Sequence, residues 1–198
     1  MAVRVAINGF GRIGRNVLRA IPNMHVLRPA DAIETAECWQ LALETRTGPT
    51  VLALTRQNLP TIRGAGDDNL CARGAYILAG EPADPIRLIA SGSEVQLALE
   101  ARDLLAKDGL AAAVVSMPSW ELFAKQSETW RNEVMGGDST VRVACEAATG
   151  FGWERWLGAK GAFVGMTGFG ASGKASDLYE HFGITAEAIA EAARRLTQ

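Results

Sequence analysis

An α/β fold with a mostly parallel sheet and helices on both faces is what this sequence predicts, and three observations carry the prediction. Short apolar, β-branched runs alternate with longer stretches of helical period almost from end to end. Each run is bounded by Gly, Pro, Asp or Ser, so strands and helices take turns. At 198 residues, 48% hydrophobic and 21% charged, the chain is long and apolar enough for one good core or two small ones.

Taken in order, the runs at 3–7, 25–28, 50–54, 86–90, 111–116, 141–145 and 162–166 read as strands. Residues 31–44 read as a helix, with Asp31 at the N-cap position and Ala32, Thr35, Ala36, Trp39 and Leu43 at helical spacing. Ser93 with Gln96 three residues on matches a capping box, opening a helix that runs to about Lys107 and stops near Gly109. The last helix begins after Thr185 and carries Ile189, Ala192, Ala193 and Leu196. Between Arg56 and Arg73 the stretch QNLPTIRGAGDDNLCA has Pro, Gly and Asp breakers, no usable period and few apolar anchors, and reads as a linker. It divides a front piece of three strands, too small to fold alone, from a back piece of about five strands that can.

Composition excludes several classes. A formal charge of −2 with scattered Lys and Arg leaves no footprint for nucleic acid. No leader pattern is legible and no apolar run approaches the roughly 20 residues that cross a bilayer, so a cytoplasmic protein without membrane contact is expected. Cys38, Cys71 and Cys145 are odd in number without C-x-x-C spacing, and His25 and His181 are isolated; no metal site is expected, and the thiols read as buried and free.

Three segments imitate phosphate sites. Gly9-Phe10-Gly11-Arg12-Ile13-Gly14 follows an expected strand and precedes a helical run, the context of an NAD fingerprint, with Gly9, Gly11, Arg12, Ile13 and Gly14 as its cofactor-facing residues and Asp31 twenty positions past Gly11. Two objections stand: Asp31 opens the next helix instead of ending the second strand, and the breaker-rich segment intervenes before a fourth strand. GFGASGKA at 168–175 nearly fits a P-loop, but Ala175 replaces the hydroxyl that would hold Mg²⁺, so a Gly-rich turn entering a helix is expected. SGSEV at 91–95 could offer free N–H groups to an anion, although the capping box explains it without one.

Two family resemblances cover the chain. MAVRVAINGFGRIGRNVLRAI resembles the extreme N-terminus of the phosphorylating glyceraldehyde-3-phosphate dehydrogenase family, and the likeness ends near Ile21. From about residue 18 onward, LRAIPNMHVLRPADA, GPTVLALTRQNLP, LIASGSEVQLALEARDLLAKDGL, VVSMPSWELFAKQ, FGWERWLG, GAFVGMTGFGAS and LYEHFGITAEAI are similar, in order, to the last third of the transketolase family. The resemblance implies a division into 1–21 dehydrogenase-like, 22–62 the end of a pyrimidine-binding domain, 63–72 linker and 73–198 the C-terminal domain. Residues 18–21 belong to both likenesses, as at a join between two coding sequences, and the fingerprint is then an NAD remnant without a working site.

The transketolase resemblance implies thiamine diphosphate and Mg²⁺ chemistry, moving a two-carbon ketol unit between sugar phosphates of the pentose phosphate and Calvin pathways. It gives this chain no catalytic residue and one substrate residue: Arg56, matching the arginine that contacts the sugar phosphate. His25 falls after the family's last active-site histidine and is expected to pack or meet solvent. The chain by itself is expected to bind no cofactor, to be inactive, and to serve at most as a scaffold or a homodimerising piece; an NAD-binding fragment and a noncatalytic interaction domain are the alternatives.

Overall fold

Two sheets organise the computed structural model, which describes residues 5–8, 19, 21–64, 66 and 68–198. The first holds three parallel strands, β1 (Val5–Asn8), β2 (His25–Leu27) and β3 (Thr50–Leu54), in the order β1-β3-β2, with helix α1 (Ala32–Glu44) between β2 and β3. A 3-10 turn at Leu70–Arg73 leads to the second sheet. Its elements are β4 (Tyr76–Ala79), β5 (Ile86–Ala90), α2 (Glu94–Lys107), β6 (Ala112–Ser116), α3 (Trp120–Ala124), α4 (Glu128–Met135), β7 (Val141–Thr149), α5 (Glu154–Leu157), β8 (Gly161–Met166), α6 (Ala175–His181) and α7 (Ala186–Thr197). The strand order is β4-β6-β5-β7-β8, all parallel except β4 at the edge.

The second sheet is buried on both faces, and its strands are apolar for that reason. On β5, Ile86, Leu88 and Ala90 enter a core with Val95 and Leu105 of α2 and Ile189 and Ala193 of α7. Ile89 points the other way, into Val115, Met117, Phe123 and Trp153. Thr185 caps α7 by accepting from the Ala188 N–H at 3.2 Å, and Gly109, at φ +74°, ends the turn after α2. The expected α/β class and both of these helices stand.

Several expectations do not. Ser93 is no capping-box residue: its backbone is helical, it makes no side-chain cap, and its hydroxyl donates to Glu94 instead, at 2.7 Å. Asp31 does cap α1, accepting from the Glu34 N–H at 2.8 Å, but the helix is turned from the expected face. Glu34, Cys38 and Ala42 are buried while Ala32, Ala36, Trp39 and Leu43 lie exposed. The core this helix faces is small and is completed by Cys71 and by polar groups of the second sheet, so the apolar spacing was not the buried spacing. Strand β4 and helices α3, α4 and α5 were not expected; they span four to eight residues, too short to show a period.

The breaker-rich stretch holds no helix or strand among its described residues before Leu70, yet it is tied down by polar bonds. The Ile62 N–H donates to Asp31 Oδ2 at 3.0 Å, Arg63 pairs with Glu37 and donates to the Tyr76 hydroxyl at 2.9 Å, and the Cys71 N–H donates to Glu37 Oε2 at 3.0 Å. Anchors of this kind leave no hydrophobic signature. Among the described residues no helix is long and apolar enough to cross a membrane.

Candidate functional site between the two sheets

In the second sheet the chain steps from β5 to β6 on one side, then crosses back to place β7 on the other. The carboxyl ends of β5 and β7 therefore flank a switch point, where open α/β sheets form their crevice. The turn Ser91-Gly92-Ser93 leaves β5 there, and Glu146 and Ala147 of β7 face it. The carboxyl end of β2 enters this crevice. The Arg28 N–H donates to the Pro118 carbonyl at 2.8 Å, and its own carbonyl accepts from Gly92 at 3.1 Å.

The Arg28 guanidinium is buried and bonds to the Ser91 carbonyl, to Ser91 Oγ at 3.0 Å and to Glu94, with Glu146 Oε1 at 3.6 Å. Burial opposes its charge, but Glu94 and Glu146 outweigh burial, so its pKa rises and it stays protonated. Glu94 is itself held by the Ala147 N–H at 3.1 Å, by Ser93 and by the Tyr179 hydroxyl. Burial first and Glu94 second push the Tyr179 pKa up, fixing it as a neutral donor. Glu146 takes Trp153 Nε1 at 2.8 Å and both terminal nitrogens of Arg19, at 3.3 and 3.4 Å.

In front of Arg28 lies a cavity of about 190 Å³, walled by Arg28, Leu54, Arg56, Gln57, Glu94 and Tyr179. Arg56 follows the carboxyl end of β3, exposed, and among the described residues it is held by no ion pair, unlike Arg28. A second, apolar cavity of about 380 Å³ shares Gln57, Ala147 and Tyr179 with the first and extends over Met166, Leu178 and Phe182. What the polar cavity can do chemically is hold an anion against Arg56, whose planar fork suits two oxygens.

A second polar knot joins the sheets behind α1. Glu34 Oε1 accepts from the Tyr76 hydroxyl at 2.6 Å and the Ser116 hydroxyl at 2.5 Å, and Oε2 accepts from the Ala30 N–H at 2.7 Å. Burial raises the Glu34 pKa, the three bonds pull it down, and the net shift is upward.

The other residues singled out from the sequence are scattered. Gly9, Gly11, Arg12, Ile13 and Gly14 lie outside the described residues. The strand before them, β1, pairs with β3 and not with β2, so β3 stands between the first two strands. Asp31 is spent on its cap and on Ile62. The turn at 91–95 receives a guanidinium in place of the anion considered for it. Residues 168–173 are exposed, and α6 starts at Ala175 after Lys174 without a side-chain cap. His25 is nearly buried in β2, and burial, then Lys125, lower its pKa. All three cysteines are buried and free, and among the described residues no three His, Cys, Asp or Glu side chains gather to hold a metal ion.

Arg28, Glu34, Glu94, Glu146 and Tyr179 were missed. One signal was available: Arg28 in HVLRP and Glu146 in VACEA are charges inside apolar strand runs, where burial demands a partner.

Comparison with known proteins gives consistent matches. Residues 74–185 match the transketolase-like C-terminal domain family, and residues 15–61 match the transketolase pyrimidine-binding domain family. The chain is 56% identical over 178 residues to a transketolase of Cereibacter sphaeroides, covering 89% of this chain and 27% of that protein. It is 54% identical over 180 residues to one of Sinorhizobium medicae, covering 89% and 26%. The solved transketolase from Leishmania mexicana superposes with a TM-score of 0.83 at 41% identity, over 94% of this chain and 28% of that one. The chain thus spans about a quarter of the length of the relatives it matches.

Proposed function

The chain belongs to the transketolase family, and from that premise we propose that it supplies the sugar-phosphate side of a ketol-transferring assembly, with Arg56 as the phosphate contact. The observation that carries this reading is the place of Arg56: at the carboxyl end of a parallel strand, beside a polar cavity, with its guanidinium uncommitted among the described residues. A phosphate there would gain charge-assisted bonds from Arg56, whereas Arg28 behind it is already saturated by carboxylates.

Thiamine diphosphate, which supplies the carbanion chemistry of the family, does not fit the described residues. The cavity beside Arg56 is smaller than the roughly 300 Å³ at which sites for drug-sized ligands begin, the larger one adjoining it has no charged side chain in its wall to meet a diphosphate, and the described residues offer no cluster of ligands for Mg²⁺. We therefore expect this chain alone to transfer no ketol unit when thiamine diphosphate, Mg²⁺ and sugar phosphates are supplied. Thiamine-dependent turnover by the purified chain would refute that. Titration with ribose 5-phosphate, followed by amide chemical shifts, should show weak saturable binding that Arg56→Ala weakens about tenfold; equal binding by the variant would remove Arg56 from the site.

A second reading, a pairing surface for another copy of this chain, is favoured by α1. Its exposed side carries Ala32, Ala36, Trp39 and Leu43, an apolar stripe repeating every three to four residues. Light scattering should show mass rising with concentration, and Trp39→Glu should abolish the rise.

For the first 21 residues we propose a dehydrogenase-derived segment joined at 18–21 that no longer binds NAD. The fingerprint in the sequence supports the origin, and the β1-β3-β2 order supports the loss, since a mononucleotide half places its first two strands side by side. The remaining division, at 22–62, 63–72 and 73–198, belongs to the same proposal. A cytoplasmic setting is supported by three buried thiols that stay unpaired.

A further inference from the structure

We infer that the switch-point crevice of the second sheet is a guanidinium-recognition site, built by Ser91, Glu94 and Glu146 and filled from within the chain by Arg28. Four features point to a guanidinium and not merely to a cation. The Ser91 carbonyl and hydroxyl and Glu146 Oε1 gather at one terminal nitrogen and Glu94 Oε2 meets the other, so two nitrogens of one planar group are engaged where an ammonium offers one. Gly92 has φ +59°, and a Cβ there would come within 2.8 Å of the Arg28 guanidinium carbon, so the backbone is shaped around the side chain. Glu94 is held toward Arg28 by Ser93, Tyr179 and the Ala147 N–H, and so is oriented independently of the arginine. Finally, Glu94 and Glu146 are both fully buried; Glu146 also has Arg19, whereas among the described residues Arg28 is the cation on Glu94.

Arg28 leaves β2 of the first sheet, and its receptors are turns and strands of the second. The crevice where such a sheet would take a ligand is thus spent on fastening the two sheets, and the wall that presents Arg56 is set by the fastening.

Chemical rescue tests this on the whole chain. Arg28→Ala strands the buried Glu94 carboxylate, while Glu146 keeps Arg19 and Trp153, and the folded-to-unfolded ratio should fall about a hundredfold or more. Guanidinium chloride at about 1–20 mM, well below denaturing levels, should restore at least tenfold of that with saturation, while equal concentrations of sodium chloride or urea should not. The parent should gain nothing. Arg28→Lys keeps the charge without the fork and should remain at least tenfold less stable than the parent. The inference is overturned if Arg28→Ala matches the parent, if folded Arg28→Ala responds alike to guanidinium and sodium, or if Arg28→Lys is as stable as arginine. Should Arg28→Ala fail to fold even when refolded in guanidinium, the lysine variant decides alone.

Discussion

The five-stranded sheet is covered on both faces, by α2 and α7 on one and by α3, Trp153 and Trp156 on the other, and its cores join into a double layer of buried side chains. The three-stranded sheet has α1, a handful of buried residues around Leu27, Cys38 and Leu52, and an apolar stripe facing outward. What ties the smaller sheet in place is largely polar: Arg28 in the switch-point crevice, Glu34 against Tyr76 and Ser116, and Glu37 with Arg63. A layered core supplies stability in bulk through area removed from water. Buried polar knots add less net free energy, but they specify one docking geometry and are costly to break.

The largest expected effect contrasts the two cores directly. Leu88→Ala should destabilise the whole chain by about 3–5 kcal/mol, and Leu52→Ala by about 2–3 kcal/mol, since the smaller core can relax around its gap. Denaturant unfolding followed by Trp fluorescence measures both. Equal losses would break the contrast between a large and a small core.

Next comes the knot at Glu34. Glu34→Ala leaves the Tyr76 and Ser116 hydroxyls and the Ala30 N–H without their acceptor, and should cost about 2–3 kcal/mol. Limited proteolysis should then cut first near residues 64–68, ahead of the five-stranded core; a cut within α2 at comparable speed would show that the small sheet does not depend on the knot.

The same residue sharpens the comparison through pH. Because its folded pKa lies above the ordinary carboxylate value of about 4.5, the folded state holds the proton more tightly. This contribution is greatest below pH 4.5 and is lost as pH rises through the raised value. Glu34→Gln should flatten that limb of the stability profile, and an unchanged slope would count against a buried carboxyl that favours its proton.

The smallest effect concerns His25, whose folded pKa lies below the ordinary 6.5. The neutral ring's contribution is complete above pH 6.5 and is lost as pH falls through the lowered value, the opposite sense to Glu34. His25→Gln should remove a modest loss on the acid side of pH 6.5, read from thermal midpoints.

Legibility in the sequence followed the same divide. Strand β5 and the helices after Ser93 and Thr185 could be placed from apolar period, because both faces of their sheet or one broad face of the helix are buried. The face of α1 was misjudged because Glu34 is buried while Trp39 and Leu43 are not, reversing what hydrophobicity alone implies. Arg56 was located through a family resemblance; Arg28, which shapes the wall beside it, was not, since its partners lie 63 or more residues away.

By itself the sequence determined the α/β class and the alternation of strands and helices, since these rest on local period and turn chemistry. The tertiary structure decided which charges are buried, which face of α1 meets solvent, and that the ligand crevice of one sheet is filled by an arginine of the other. Burial and charge pairing depend on distant segments meeting in space, and no local pattern of residues encodes such a meeting.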